Sequence, residues 1–146
     1  MKAPLDGYHQ IIRKRYRGMR LADKVASRAF GFKNSNDVMQ YYLDDLGNPR
    51  PCTYCGRLPE KGKLWGLDRI DSSIGHMPGN IVPACSSHPE NPLLSCQASK
   101  SNFSLRAWIE MALTRAYGHQ IPHLLVDMRI TEVLTRAKAL AEKRIA

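Results

Sequence analysis

Four cysteines set the strongest constraint on how this chain can fold. They are arranged as Cys52-x2-Cys55-x29-Cys85-x10-Cys96. A Cys-x2-Cys pair presents two thiolates from one tight turn, and a second pair brought in by the fold completes a tetrahedral zinc site. Four cysteines in 146 residues are too few for a disulfide scaffold, and paired cysteines in an intracellular chain more often bind metal. We therefore predict a structural Zn²⁺ held by all four.

The second half of this zinc site is less strictly spaced than the first. Ten residues separate Cys85 from Cys96, and Cys85-Ser86-Ser87-His88 is itself a Cys-x2-His pattern. His88 is therefore the rival of Cys96 for the fourth position, and a redox pair or free buried thiols would also fit the spacing. Residues 52–103 are rich in Gly, Pro, Ser and Asn, so a metal ion would stabilise a region with little apolar core of its own.

Positive charge is the second constraint. The chain has 22 Lys and Arg against 13 Asp and Glu, a formal net charge of +9, and 43% hydrophobic residues, which is enough for a core. No apolar run approaches the ~18 residues of a membrane span, and the N-terminus lacks the apolar segment of a signal peptide. We expect an intracellular protein of the cytoplasm, nucleoid or nucleus, not secreted and without a membrane partner. The charge predicts a polyanionic partner, most simply nucleic acid.

The excess charge lies mainly in the flanks. Residues 1–51 carry 10 basic and 5 acidic side chains, residues 52–104 carry 5 and 4, and residues 105–146 carry 7 and 4. The densest cluster is either a solvated helix face or an arm that contacts phosphates without reading sequence. The global charge favours the arm. The candidates for phosphate contact in it are Arg13, Lys14, Arg15 and Arg17.

Hydrophobic periodicity predicts helices on both sides of the cysteine region. An apolar stripe from Tyr8 to Met19 predicts an N-terminal helix, and Leu21, Val25 and Ala29 extend the predicted stripe to Gly31. Ser104 and Gly118 are predicted to cap a second helix, and a last helix is predicted after Thr131. Short strands are predicted at 64–67 and 80–83, around a loop at 71–79.

The stretch between the cysteine pairs carries residues able to do chemistry. Asp68, at a predicted strand end, is a hard oxygen ligand suited to Mg²⁺. Arg69 beside it could hold a phosphate. Asn80 could brace the loop through hydrogen bonds from its side chain to the main chain. The alternative is structural, namely an Asp–Arg ion pair in a hairpin with an ordinary turn asparagine.

The order of these residues resembles the HNH endonuclease superfamily, whose core is the ββα-metal fold. In that family a Cys-x2-Cys pair leads into a hairpin carrying Asp-His or Asp-Arg, then a loop ending in Gly-Tyr-x3-Asn, an apolar strand, a second Cys-x2-Cys, Asn or His, and a Lys. The resemblance is most specific to the Asp-Arg branch, which includes phage, viral and restriction nucleases. The matching residues, in order, are Leu67-Asp68-Arg69-Ile70-Asp71-Ser72-Ser73, Gly75, Asn80-Ile81-Val82-Pro83-Ala84-Cys85, Cys96 and Lys100-Ser101-Asn102.

The resemblance implies a role for each matching residue. Asp68 would be a ligand of a catalytic divalent ion such as Mg²⁺, and Gln97 stands where the family has the second ligand, Asn or His. Arg69 stands where many members have the general-base His. Asn80 would hold the hairpin loop in shape, and Lys100 would lie near phosphate.

Three features depart from the family pattern. Arg69 stays protonated and cannot act as an ordinary base, so His76, which stands where relatives have Tyr, is the candidate for the base. The alternative for His76 is a surface loop histidine. Gln97 keeps an amide oxygen but has one methylene more than Asn, and residues 86–95 are an insertion in what is normally a two-residue gap.

Together, these features predict an α+β chain with a small zinc-stapled ββα-metal core and α-helices on both sides. The predicted regions of this compact unit are a basic helical region (1–50), the zinc-bound core (51–104) and C-terminal helices (105–146). The resemblance implies a metal-dependent endonuclease that hydrolyses phosphodiester bonds of double-stranded DNA, for which a homodimer would be suitable. The runner-up is a catalytically silent, zinc-stapled subunit that binds nucleic acid or serves in a nucleoprotein assembly. A purely protein-binding zinc domain would leave the charge unexplained.

Overall fold

The chain folds as a mixture of helices and one small sheet. The computed structural model describes residues 5–90 and 94–142, so residues 1–4, 91–93 and 143–146 of the three predicted regions lie outside the described residues. This architecture confirms the α+β class. The elements in chain order are α1 (Leu5–Val25), a 3-10 helix (Ser35–Val38), α2 (Met39–Tyr42), β1 (Gly66–Arg69), β2 (Ile81–Ala84), α3 (Cys96–Lys100), α4 (Leu105–Tyr117) and α5 (His123–Glu142).

The sheet is a two-stranded antiparallel hairpin. Gly66 pairs with Ala84 and Arg69 with Ile81, so residues 70–80 form the connecting loop. All four residues of β2 are buried, whereas those of β1 are half-buried. The strands lie within one or two residues of their predicted positions, because apolar runs bounded by Gly, Pro and Asn are the signal for short strands.

The buried stripe of α1 differs from the predicted one in its last two turns. Leu21 and Val25 are 61% and 78% exposed, and the helix ends at Val25, so their predicted place on a buried stripe is wrong. The buried stripe of α1 instead continues at helical spacing from Tyr16 to Asp23. The fully buried or nearly buried positions are Tyr8, Ile12, Tyr16 and Asp23.

The C-terminal helices begin and end at recognisable signals. Ser104 Oγ accepts a hydrogen bond from Ala107 N, and Gly118 ends α4 in the left-handed conformation, which confirms both predicted caps. α5 begins at His123, earlier than predicted. Pro122 precedes its first residue, and proline at a helix start is the missed signal. Buried residues of all three predicted regions form one hydrophobic cluster.

Candidate functional site

The four cysteines lie together at the junction of three segments. Cys52 and Cys55 come from the turn before β1, Cys85 directly follows β2, and Cys96 is the first residue of α3. Their Sγ atoms all lie within 4.8 Å of one another, and Cys55 Sγ is 3.9 Å from Cys85 Sγ. A tetrahedral site with Zn–S of about 2.3 Å has sulfur atoms about 3.8 Å apart. The cluster therefore fits a structural metal ion such as zinc.

Main-chain hydrogen bonds shape this cluster. Gly56 N donates to Cys52 O at 2.8 Å, which closes the first turn, and Gly56 has the positive φ that such a turn requires. Cys96 N donates to Cys85 Sγ at 3.1 Å. N–H donors to sulfur stabilise the thiolate form, which is the form that binds metal.

The thiol pKa values reflect the crowding of four sulfur atoms. The pKa of Cys52 is lowered to about 5, mainly because its sulfur accepts a hydrogen bond from the Cys96 thiol. Burial raises the pKa of Cys55 to about 11, and the hydrogen bond to Cys52 raises the pKa of Cys96. Binding a metal ion would displace the protons of these thiols, so a cation is the natural partner of the cluster.

The rival ligand His88 lies outside this group. Within the described residues the cluster consists of the four cysteines. His88 Nδ1 accepts a hydrogen bond from Glu90 N at 3.2 Å. The donor set of the described site therefore consists of four thiols, with Cys96 in the fourth position.

Two arginines of α5 support the first cysteine turn. Arg129 Nη2 donates to Tyr54 O and Arg136 Nη1 donates to Thr53 O, both at 2.7 Å. Both carbonyls lie between Cys52 and Cys55. α5 therefore contributes directly to the shape of the candidate metal site.

The Asp68 carboxylate lies in a largely internal polar cluster and pairs with Lys100, not with the guanidinium of Arg69. Its Oδ2 accepts a hydrogen bond from Tyr54 Oη at 2.6 Å and lies 3.3 Å from Lys100 Nζ. Burial raises the pKa of Asp68, and the hydrogen bonds from Tyr54 and Lys100 oppose this shift. The described ion pairs do not include the Asp68–Arg69 pair that a purely structural interpretation of the sequence would place here.

Lys100 requires a correction. It was predicted to lie near phosphate, but its side chain is fully buried, and its Nζ donates to Arg69 O at 2.9 Å. An ammonium group in this position neutralises Asp68 from inside the protein and cannot reach an external polymer.

Asn80 and Arg69 hold the loop between the strands. Asn80 Oδ1 accepts from Asp71 N at 2.9 Å, and its Nδ2 donates to Asp71 O and Gly75 O at 3.1 and 3.0 Å. Arg69 Nη1 donates to Ser72 O and, at 3.1 Å, to Ile74 O. These bonds give the loop a defined shape, as side-chain bonds to the main chain do in tight turns.

His76 lies within this loop, on the side that faces the protein interior. It is 7% exposed, so it is not a surface histidine. Its main-chain N donates to Asp23 Oδ2 at 2.7 Å, and its Nδ1 lies 2.9 Å from the same oxygen. Arg28 Nε donates to Asp23 Oδ1 at 3.0 Å. Sequence reasoning missed Asp23, although extending the α1 stripe beyond Tyr16 at helical spacing reaches it.

Gly75 makes this contact between the loop and α1 feasible. A Cβ atom at Gly75 would overlap Ala29 O and lie 2.8 Å from Asp23 Oδ2. Gly31 N also donates to His76 O at 2.9 Å. The loop thus approaches the main chain of residues 29–31, just after α1, closely enough to hold His76 against Asp23.

Gln97 and His76 line the same open groove between α1 and β1, with a volume of about 340 Å³. Gln97 Nε2 donates to Ala84 O at 2.7 Å. A Cβ atom at Gly66 would lie 2.8 Å from that nitrogen, so the Gln97 side chain packs directly on Gly66. Because side chains alternate along a strand, Gly66 and Asp68 are on the same face of β1, and Gln97 covers that face. Within the described residues, Gln97 Oε1 accepts no hydrogen bond.

The basic cluster of α1 divides into two groups. Arg13, Lys14 and Arg17 are exposed. Arg15 donates to Trp65 O and Leu64 O at 3.0 and 3.2 Å and stacks over the Tyr42 ring. Phosphate contact was predicted for Arg15 as for its neighbours, but its guanidinium serves the internal packing of α1 against the segment before β1.

Comparison with known proteins gives no relative: no family model, no curated protein and no solved structure matches this chain. Within residues 5–90 and 94–142, no helix combines the length and apolar character needed to cross a membrane.

Proposed function

We propose that this chain is a metal-dependent endonuclease of the HNH type that hydrolyses DNA phosphodiester bonds. The observation that carries the proposal is that His76 and Gln97 line one open groove. Asp68 is not among the described residues that line this groove, but by strand alternation it shares a face of β1 with Gly66, which does line it. A nitrogen base and oxygen ligands next to a groove are the parts that metal-assisted hydrolysis needs.

His76 would serve as the proton acceptor. Its Nδ1 is turned toward Asp23, so Nε2 is the ring nitrogen available to a water molecule in the groove. Burial lowers the pKa of His76, and the charges of Arg69 and Arg28 act in the same direction against Asp23. A neutral imidazole at neutral pH is the form that accepts a proton.

Asp68 and Gln97 would hold the catalytic divalent ion. Among the described residues, neither Asp68 Oδ1 nor Gln97 Oε1 has a hydrogen-bond partner. One carboxylate and one amide oxygen would suit a hard cation that keeps water or phosphate oxygens as its other ligands. When bound, such an ion polarises the phosphate and stabilises the charge of the leaving oxygen.

The cysteine cluster would act as the staple of a ββα-metal arrangement. Cys85 directly follows β2 and Cys96 begins α3, and Gln97 follows Cys96 directly. Gln97 N also donates to Cys85 O at 3.1 Å. A zinc ion at the cysteines would therefore fix the register between β2 and the helix that carries Gln97.

The exposed basic face of α1 would hold the DNA backbone. Arg13, Lys14 and Arg17 are the exposed members of the cluster, and Arg or Lys contacts to phosphate position a duplex without reading its sequence. Small residues of α1, Gly18 and Ala22, line the groove and leave it open.

The test is nicking of supercoiled plasmid with Mg²⁺ or Mn²⁺ by the wild type and by Asp68→Asn. The matched control is Asp71→Asn, because Asp71 is an exposed carboxylate three residues away whose Oδ1 accepts hydrogen bonds from Ser73 in its own turn. Ala22→Trp adds a bulky side chain to the groove at an exposed helix position. We expect nicking by the wild type and Asp71→Asn, and at least a 100-fold loss in Asp68→Asn and Ala22→Trp, of the order that catalytic groups contribute.

The second candidate function is a catalytically silent nucleic-acid-binding or structural subunit. It is favoured by one observation, namely that Asp68 Oδ2 is already neutralised by Lys100 and hydrogen-bonded to Tyr54. Salt-sensitive DNA or RNA binding without metal-dependent cleavage would support this candidate and contradict the enzyme. Absence of both cleavage and binding would contradict both.

A further inference from the structure

Asp23 is an unusual residue to find on the buried stripe of a basic helix. α1 contains two acidic residues, Asp6 and Asp23, and Asp23 is fully buried. Burying a carboxylate costs several kcal/mol unless it is paired and hydrogen-bonded. Its retention at this position therefore needs partners that compensate for the lost water.

Both oxygens of Asp23 have such partners, and they come from two directions. Arg28, just after α1, donates to Oδ1 at 3.0 Å. His76, from the loop between the strands, approaches Oδ2 with both its main-chain N and its ring Nδ1, at 2.7 and 2.9 Å. A carboxylate bound in this way holds an imidazole in a single orientation and a single tautomer.

The second ring nitrogen of His76, Nε2, is the one that can act on a substrate. Within the described residues, His76 Nε2 has no hydrogen-bond partner, whereas its ring lines the groove with Gln97, Gly66 and Ala22. The tautomer with a proton on Nδ1 has its lone pair on Nε2. The geometry of the Asp23 contact thus selects the tautomer whose acceptor nitrogen is free.

We propose that Asp23 is a positioning residue that holds His76 in the Nδ1-protonated tautomer, with Nε2 as the proton acceptor for the reaction in the groove. This role rests on the proposed nuclease function. Asp23 acts through His76 and does not touch the substrate. The proton taken from the attacking water goes to Nε2, and Asp23 stabilises the imidazolium that forms.

The charges that face His76 predict a distinct effect of removing Asp23. Asp23 raises the pKa of His76, whereas burial and the charges of Arg69 and Arg28 lower it. In Asp23→Asn the two guanidinium groups remain and the carboxylate charge is lost. The pKa of His76 should then fall further, and the acidic limb of the pH–rate profile should move to lower pH.

Two measurements test the role. The first is the pH dependence of plasmid nicking by the zinc-loaded wild type, Asp23→Asn and the control Asp37→Asn. The Asp37 carboxylate accepts a hydrogen bond from Lys33 N and is not among the main charges that shift the pKa of His76. We expect Asp23→Asn to nick roughly 100-fold more slowly, within the range of general-base catalysis, with its acidic limb shifted to lower pH. The second is ¹⁵N NMR of His76 in the wild type, where we expect a protonated Nδ1.

These outcomes distinguish failure of the Asp23 role from failure of the nuclease function. A slower Asp23→Asn whose acidic limb stays at the wild-type pH would indicate a merely structural residue and overturn the role. A wild-type His76 protonated on Nε2 would overturn it without any activity measurement, even where Asp23→Asn fails to fold. A wild type that never nicks would overturn the nuclease function and this role with it.

Discussion

Replacing Gly75 with alanine tests how closely the loop between the strands approaches Asp23 of α1 and Ala29 just after it. The added Cβ atom would overlap Ala29 O and would lie 2.8 Å from Asp23 Oδ2 and 2.9 Å from Ala29 C. Two of these atoms belong to main chain, and Asp23 is held by Arg28 and His76, so none is the free end of a flexible side chain. Because the overlap with Ala29 O is the most severe of the three, the loop must move away from this segment by more than about 1.5 Å to reach an ordinary contact of about 3.5 Å.

The cost of that movement can be estimated from the contacts it stretches. Overpacking by one methyl group costs about 1–3 kcal/mol. The displaced loop also weakens the two hydrogen bonds of His76 to the Asp23 carboxylate, and bonds to charged groups contribute about 1.5–3 kcal/mol each. With partial loss of these bonds, we expect Gly75→Ala to lower the free energy of unfolding by about 3–5 kcal/mol.

Urea unfolding of the metal-loaded protein measures this effect, and Gly18→Ala is the matched control. A Cβ atom at Gly18, within α1, would meet nothing within 4 Å. Alanine in a helix interior is about 0.5–1 kcal/mol more favourable than glycine, so this control should become more stable. A loss below about 1 kcal/mol in Gly75→Ala, the lower end of the overpacking cost, would refute the close approach.

The two polar clusters and the cysteines give three further predictions. Cys52→Ser should lose the one zinc ion expected per wild-type chain and its cooperative unfolding, measured by elemental analysis and circular dichroism, and a zinc-free, stably folded wild type would contradict the staple. Lys100→Met should cost about 3–5 kcal/mol in urea unfolding because Asp68 is left uncompensated, and Asp68→Asn in the same chain should restore part of it. Because the folded-state pKa of His76 is lowered, the unfolded chain takes up that proton first, so stability should fall as pH drops below about 6.5. His76→Gln, with the same cysteines, should show a smaller fall between about pH 7 and 5.5, and an equal fall would contradict the assignment.

The sequence predicted correctly the helix caps and the cysteine turn, because these features depend on residues close together in the chain. Ser104 and Gly118 bound α4 because capping depends on residues within one turn. The cysteine spacing predicted a cluster because a Cys-x2-Cys turn can be recognised from four residues, and the structure does bring the four cysteines together. Residue types alone could not decide between His88 and Cys96, since that choice depends on how residues 86–95 run between β2 and α3.

Charged residues were the main source of error, because their contacts are long-range. Lys100 and Arg15 were both predicted to face phosphates, yet one is fully buried against Asp68 and the other binds carbonyls about fifty positions away in sequence. Asp23 was overlooked because hydrophobic periodicity counts only apolar residues. A stripe extended by spacing alone, from Ile12 through Tyr16 and onward, would have indicated it.

The arginines that support the cysteine turn have a consequence for the order in which the protein matures. Arg129 and Arg136 bind carbonyls 75 and 83 positions earlier in the chain. During synthesis, the cysteine turn and both strands emerge before α5, so a metal ion bound at that stage would be held without these two supports. Early-loaded metal should therefore exchange quickly with chelators and become kinetically retained once α5 has docked. A helix synthesised after the candidate site would thus determine how firmly that site keeps a bound metal ion.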